Sequence, residues 1–493
     1  MAMQIQLDRQ SAQPLYKQMV STIQQRIRSG ALPSGTRLPT VRELAGQLGV
    51  TRLTVHSAYS ELQSGGWVEA TVGRGTFVAM QQEPVFGDSS LGREFSPHGM
   101  ISDMLRMAQM PGMRSLAMAN AASELYPVRD FSRALNDALA HDSAAVFDYT
   151  SAQGEPLLRT VLAELVRQRG LHATPDEIVV TGGVTQGLAL VARTLAAAGD
   201  TVFVEQPTYV GAINILCGQG LRPVGVPVDE QGMQTDALEA MLLEHRPRFI
   251  YTIPAFQNPS GVCMSAARSA ALLALSARHH IPIVEDDIYA AIAFDQPAPP
   301  ALRARALGGQ VIYLSSFSKA ALPGARVGYI VADLALVKRI VIAKQADDLC
   351  SPTLIQRALA LFIERGHFAA HLRRVIPEYR ERRDALLDAM AESFPSSLRW
   401  TLPAGGFSIW VALPPGASAT DLYLAAIERG VAFAPGDFFF AGPPPAPYMR
   451  LSFSAHPPET LREVTRTIGS LLGNHLHRRS FTVPPVERYL PLV

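Results

Sequence analysis

Residues 281–294 read IPIVEDDIYAAIAF, and residues 311–331 read VIYLSSFSKAALPGARVGYIV. Both open on a short apolar run, Ile281–Val284 and Val311–Leu314, with the length and composition of a buried strand. Each run stops at a polar cluster. The first meets Glu285, Asp286, Asp287 and Tyr289; the second meets Ser315, Ser316, Ser318 and Lys319, with Arg326 seven residues past the lysine. A carboxylate at a strand end suits a cationic ring nitrogen, or else caps a helix. Hydroxyls beside an ammonium and a guanidinium suit a phosphate, and a lysine shielded from water suits Schiff-base chemistry. An isolated SxSK, by contrast, is an ordinary surface turn.

The same rhythm extends outward. Ile178–Thr181 is strand-like, Thr185–Ala197 helix-like and Thr201–Glu205 strand-like, and the helix-like Ser265–His280 precedes Ile281–Glu285. Such alternation predicts an α/β domain with a largely parallel sheet, whose ligands sit beyond the carboxyl ends of the strands. At one such end, Thr181-Gly182-Gly183-Val184-Thr185-Gln186-Gly187 passes through glycines into a helix. The free N–H groups of a helix start make an anion cradle there. The three clusters together fit one ligand, a phosphorylated pyridine aldehyde. The lysine takes the aldehyde, the carboxylate holds the ring nitrogen, and the glycine turn, serines and arginine hold the phosphate.

The first 80 residues read differently. Leu15, Met19, Ile23 and Ile27 recur every four residues behind Pro14, an apolar stripe that ends at Gly30. Thr40-Val41-Arg42-Glu43 is a capping box opening a short helix that Gly49 stops. Thr51 caps a third helix with Val55, Ala58, Tyr59 and Leu62 inward, and two strands, Trp67–Thr71 and Thr76–Ala79, flank the hairpin Gly73-Arg74-Gly75. Two helices joined by a tight turn and followed by a β-wing predict a winged helix-turn-helix. Thr51, Arg52, Thr54 and His56 lie opposite the apolar stripe, where such a helix meets bases. Arg42, at a helix start, suits a phosphate, and Arg74, at the wing tip, a backbone or minor groove. Any one of these residues alone reads equally as a solvated surface position; the set reads as a DNA-binding face.

Composition agrees with a basic head on a different body. The chain has 493 residues and a formal charge of +1, yet residues 1–80 hold eight basic and four acidic side chains, leaving the remainder slightly acidic. The length predicts two to four domains. The 48% hydrophobic and 18% charged fractions are those of a soluble globular protein, not a disordered chain or a fibre. No apolar run spans a bilayer, and MAMQIQLDRQ has no apolar core behind a basic start, so neither a membrane segment nor a signal peptide is read. Cys217, Cys263 and Cys350 are scattered and odd in number, which suits a reducing cytoplasm and offers no metal site. His279 and His280 end a helix and have no further ligands nearby in sequence. The polar stretch 81–95 reads as a linker, residues 96–474 as the body and residues 475–493 as a tail, with Gly442–Pro447 a rigid loop near the ligand mouth.

Residues 13–79, PLYKQMVSTIQQRIRSGALPSGTRLPTVRELAGQLGVTRLTVHSAYSELQSGGWVEATVGRGTFV, resemble the DNA-binding head of the GntR regulators almost end to end. The resemblance places DNA contacts at Arg42, Thr51, Arg52, Thr54 and the wing; His56 stands where some members carry Arg. Residues 96–470 resemble the fold-type I pyridoxal-phosphate aminotransferases of class I/II, a mostly parallel sheet plus a small C-terminal α+β subdomain. That resemblance implies pyridoxal 5'-phosphate as cofactor. It makes Lys319 the Schiff-base lysine and Asp286 the partner of the ring nitrogen. Tyr289 and Asn258 become the ring-hydroxyl contacts, and Tyr209 the ring-stacking residue. Val184, Thr185, Ser316, Ser318 and Arg326 form the phosphate cup, Arg450 clamps the substrate carboxylate, and Tyr149 reaches the phosphate from a partner subunit. The combination resembles the MocR subfamily. It implies a cytoplasmic, domain-swapped homodimer that binds a double-stranded operator and senses an amino acid, an amine or the cofactor itself. Retention of Asn258, Asp286 with Tyr289, and Arg450 keeps open the alternative of a working aminotransferase. The stretch Met100–Pro127, similar to the opening segment of aminoadipate- and aromatic-type aminotransferases, points the same way.

Overall fold

A computed structural model describes residues 7–8, 14–28, 32–33, 35–64, 67–71, 75–78, 112–306 and 308–478. The linker 81–95, the wing tip with Arg74, residues 100–111 and the chain beyond Arg478 lie outside them. The chain divides into two compact units, residues 1–94 and 95–493.

In the first unit, helices α1 (Leu15–Arg28), α2 (Val41–Leu48) and α3 (Arg52–Ser64) precede an antiparallel hairpin of β1 (Val68–Thr71) and β2 (Gly75–Val78). The i, i+4 stripe of α1 buries Met19 and Ile23 completely against Leu44, Val55, Ala58 and Leu62. Each helix end has a local cause. Thr40 accepts from the Glu43 amide at 3.2 Å while Glu43 accepts from the Thr40 amide at 2.9 Å, and Gly49 closes α2 in the left-handed region at φ 63°. The Thr51 hydroxyl accepts from the Thr54 amide at 3.2 Å and sets the start of α3.

The second unit is built on an eight-stranded sheet. The short strand β3 (Arg114–Ser115) lies outside it. The sheet strands are β4 (Ile178–Thr181), β5 (Thr201–Gln206), β6 (Arg222–Asp229), β7 (Gly232–Met233), β8 (Ile250–Thr252), β9 (Ile283–Asp286), β10 (Val311–Ser316) and β11 (Gly328–Val331), in the order β4-β11-β10-β9-β8-β5-β6-β7. Pairings from β10 through β6 are parallel; β11 and the edge strand β7 run antiparallel to their neighbours. β9 begins at Ile283, later than the sequence suggested, because Pro282 has no N–H to give a ladder. Alternation explains the continuous apolar runs. Ile178, Val180 and Tyr313 pack on one face of the sheet, Val179, Ile312 and Leu314 on the other, and helices cover both.

A smaller layer follows. Strands β12 (Arg399–Trp400), β13 (Ser408–Ala412), β14 (Val431–Ala432), β15 (Ala434–Pro435) and β16 (Tyr448–Ser452) complete the chain; β12, β13, β16 and β15 form one antiparallel sheet, and β14 pairs with β3. Two helices, His367–Ser393 and Pro458–Arg478, pack together against that layer, and the second runs across position 474, so residues 475–478 belong to it and not to a separate tail. Among the described residues no helix is long and apolar enough to cross a membrane.

Removing the α2 cap tests this local account. Thr40→Ala is expected to cost about 1 kcal/mol. Amides of residues 41–48 in the full chain should then exchange hydrogen about fivefold faster, while β9 and β10 stay protected.

Candidate functional site

The carboxyl ends of β4, β5, β8, β9 and β10 converge on a cavity of about 160 Å³. Val184, Thr185, Tyr209, Asn258, Asp286, Tyr289, Ser318, Lys319 and Arg326 all line it, together with Asn120, Gly183, Ile253, Ile288 and Pro323. Parallel strands with crossover helices make such a crevice, because every loop that leaves the sheet on this side rises around the same hollow.

Asp286 is the last residue of β9 and is buried. Its carboxylate accepts from the Tyr251 hydroxyl at 2.7 Å and from the Ile288 amide at 3.2 Å. Burial pushes its pKa up to about 7, against the opposing pull of those two donors. Lys319, part-buried, donates from Nζ to the Ala119 carbonyl at 2.6 Å. Burial, then the nearby Arg450 and Arg326 charges, bring it down to about 8, which makes a far better amine nucleophile than a surface lysine. Tyr289 is buried, with its ring edge-on to Phe407 at 5.9 Å.

The glycine turn forms a tight floor. Gly183 caps the helix Val184–Leu195 at φ 112°, a conformation open to glycine, and a Cβ there would stand 3.1 Å from Arg326. Arg326 donates to the Gly182 carbonyl at 2.8 Å. Gln186 accepts from the Gly182 amide at 2.6 Å and steadies the loop. Ser318 lines the cavity, whereas Ser316 lies beneath it, accepting from the Ser318 amide at 3.2 Å and donating to Val327 at 3.0 Å.

Arg450, on β16, is buried without a carboxylate partner. It donates to Asn258 at 3.0 Å and to the Ala117 carbonyl, sits 5.0 Å above the Phe439 ring, and leaves Nε unpaired. Burial lowers its pKa to about 10. Arg450 itself does not line the cavity but stands behind Asn258, so Lys319 and Arg326 in the lining and Arg450 beside it are matched by a single lining carboxylate, Asp286. Two anionic groups on one ligand, a phosphate and a carboxylate, fit that surplus, and the residues present suit pyridoxal phosphate.

Several expected residues fall elsewhere. Tyr149 is 82% exposed and does not reach the cavity within one chain. Gly442–Pro447 contributes nothing to the lining. In the first unit, Arg42, Thr51, Arg52 and His56 are exposed and Thr54 half-buried. Sequence reading missed Leu53, a 74% exposed apolar side chain among them. It also missed Tyr251, a phenol between Ile250 and Thr252 on a short strand, and the Ala117 and Ala119 carbonyls, which carry no side-chain signal at all.

Residues 117–468 match the family model for aminotransferase class I and II, and residues 15–78 match that for bacterial regulatory proteins of the gntR family. The chain belongs to the class I and II aminotransferases, in their MocR-type branch. It is 31% identical over 495 residues to the probable rhizopine catabolism regulatory protein MocR of Rhizobium meliloti, covering 98% of both chains. It is 33% identical over 406 residues to aromatic-amino-acid aminotransferase 1 of Thermococcus litoralis, covering 81% of this chain and 96% of that one. Its structure matches alpha-aminoadipate aminotransferase from Thermus thermophilus, complexed with N-(5'-phosphopyridoxyl)-L-leucine, with a TM-score of 0.73 and 34% identity over 80% of this chain and 98% of that one. Pyridoxal phosphate is the cofactor of this family and hence of this MocR-type chain.

The raised pKa of Asp286 has a thermal signature. Its proton stabilises the cofactor-free fold fully below about pH 4, near its ordinary value of 3.8, and that contribution is lost as pH rises through about 7. Asp286→Asn keeps the shape without the charge. The cofactor-free variant should match the wild type in Tm at pH 4 and exceed it at pH 8, by scanning calorimetry.

Proposed function

We propose that this MocR-type chain is a pyridoxal-phosphate-dependent transcription regulator that senses an amino acid or amine. The observation that carries the reading is the coexistence, in one polypeptide, of a winged-helix head and a cavity lined by Lys319, Asp286, Tyr289, Asn258, Tyr209, Ser318 and Arg326. When bound, the cofactor supplies an aldehyde that captures an amine and a cationic ring that withdraws electrons from it. Lys319 presents the amine that holds it. Asp286, steadied by Tyr251, keeps a proton on the ring nitrogen. Tyr289 and Asn258 face the ring hydroxyl, and Tyr209 covers the ring. The Val184 and Thr185 amides, Ser318 and Arg326 take the phosphate, with Ser316 as a brace, and Arg450 takes the effector carboxylate by two parallel donors.

In this reading the protein acts in the cytoplasm as a homodimer, with Tyr149 of the partner subunit completing the phosphate site; its exposure in the single chain supports that placement. In the head, Arg52, Thr51, Thr54 and His56 meet bases, Arg42 a phosphate, and Arg74 the flanking backbone. Regulation is linkage. An effector that binds two body arrangements unequally shifts DNA affinity by the same factor, tenfold for each ~1.4 kcal/mol of difference.

A second reading, an active aminotransferase, is favoured by Asn258 and Lys319 lining one cavity with Arg450 bonded to Asn258. Release of a 2-oxo acid from stoichiometric enzyme and amino acid, followed by chromatography, supports it; none with any amino acid confines the body to sensing.

Gel shifts on the DNA upstream of the chain's own gene test the regulator. Salt-sensitive, sequence-preferring binding is expected, and Arg52→Ala should weaken it by about tenfold or more, in line with a lost base contact. Lys319→Ala should abolish the borohydride-reducible link to pyridoxal phosphate while leaving DNA binding by the head intact. Absence of sequence preference under every combination of cofactor and amino acid defeats the reading.

A further inference from the structure

The glycine turn at the cofactor cavity is held from behind. The Gly182 carbonyl accepts from Arg326 at 2.8 Å, and the Gly182 amide donates to Gln186 Oε1 at 2.6 Å. Gln186 reaches further. Its Nε2 donates to Asp348 at 2.8 Å, and the other oxygen of Asp348 accepts from Lys344 Nζ at 2.7 Å. A run of hydrogen bonds thus leads from a wholly buried lysine to a guanidinium in the cavity lining, while Gln186, Asp348 and Lys344 themselves stay out of that lining.

Local helix chemistry does not explain these residues. Lys344 and Asp348 lie one turn apart at the carboxyl end of the helix Leu334–Asp348. An acid at that end opposes the helix dipole, and a lysine buried to 0% exposure needs a counter-ion. Each residue answers the other's need. The backbone just beyond is strained to match. The Cys350 amide donates to the Asp348 carbonyl at 2.6 Å around Leu349, at φ 59° and ψ −54°. That is a γ-turn of the rare hand, which persists only where its surroundings over-determine it. A second tie joins the same two helices: Arg193, on Val184–Leu195, donates through both Nη atoms to Asp347 at 2.7 and 2.6 Å.

We propose that Lys344, Asp348 and Gln186 are positioning residues for the cofactor phosphate, acting as a relay that sets the glycine turn without touching the ligand. Asp348 orients the Gln186 amide, Gln186 fixes Gly182, and the Gly182 carbonyl holds Arg326. The helix Val184–Leu195 starts two residues later, so the same hold aims its first free amides, Val184 and Thr185. With the Gly182 amide committed to Gln186, those two are the amides left for the anion. Asp286 and Lys319 are carried by β9 and by the turn after β10, and neither bonds to the relay. Its loss therefore bears on the phosphate and spares the ring. The inference rests on the phosphate placement given under the proposed function.

Pyridoxal, the same aldehyde without the phosphate, is the control ligand. The cofactor-free full chain is titrated with each, and binding is read from the visible absorbance that the aldehyde gains on Lys319. Gln186→Met, similar in length but without polar atoms, should weaken pyridoxal phosphate at least about tenfold and pyridoxal less than about twofold. Asp348→Asn, at a position one-third exposed, should weaken pyridoxal phosphate severalfold with the same selectivity, because an amide offers one oxygen to two donors. Equal losses for the two ligands, which mark a general folding role, overturn the relay, as does unchanged selectivity in both variants. Arg326→Gln should lower the selectivity at least as far. If it does not, the phosphate lies elsewhere, and the placement on which the relay stands falls with it.

Discussion

Two cations, Lys319 and Arg326, line one hollow, a third, Arg450, stands behind its Asn258, and the only carboxylate among the described lining residues is Asp286. A fold tolerates such a surplus only where backbone carbonyls stand in for counter-ions, because a buried charge without hydrogen bonds costs several kcal/mol. Here Ala119 serves Lys319, Ala117 serves Arg450 and Gly182 serves Arg326. The substitution is incomplete, since Arg450 keeps one nitrogen without an acceptor. The body thus carries an electrostatic deficit that an anionic ligand relieves, and the surrounding loops are arranged to keep that deficit in one place.

Much of this was legible because it is local. Strand ends followed by glycine, serine or carboxylate clusters announce themselves within seven residues, and caps such as Thr40 with Glu43 within four. The cross-strand facts were not legible. That Tyr251 braces Asp286 depends on β8 lying beside β9, 35 residues away in sequence. That Ala117 and Ala119 hold Arg450 and Lys319 depends on contacts spanning 333 and 200 residues, made by backbone atoms that any residue type would supply. The division between Ser316 and Ser318 shows the same limit. Both read as phosphate ligands, yet β10 ends at Ser316, whose hydroxyl is tied to the Val327 carbonyl and the Ser318 amide, while Ser318 on the turn beyond the strand lines the cavity. Tyr149 differs again: it is exposed and lies off the cavity within one chain.

The two units solve different physical problems. The head's core is small and its stability leans on caps and turns, each a short-range feature that needs no ligand. The body's core is large enough to carry a strained centre: a glycine turn at positive φ, a half-buried lysine and a buried arginine. Segment 116–122 serves that centre. It supplies the carbonyls that hold Lys319 and Arg450, its Asn120 lines the cofactor cavity, and its Ala122 amide bonds to Tyr379 on the long helix. A ligand carboxylate arriving at Arg450 competes with this segment for the same donors.

The turn 257–262 carries the argument further. Asn258 holds Arg450 from one side while Gln257 bonds to Glu205, whose carboxylate also takes Thr252 and the Ile253 amide. Burial lifts Glu205 to about 7, so this acid lies close to its own titration at neutral pH while embedded under the residues that face the cofactor. Three more hydrogen bonds, from Gln257 to Pro207 and from the Ser260 amide and hydroxyl back to Gln257, lock the turn to the sheet. A segment held that tightly moves as a unit or not at all. Its Asn258 lines the cofactor cavity and accepts from Arg450, so the bonds that hold the turn also fix where the guanidinium stands.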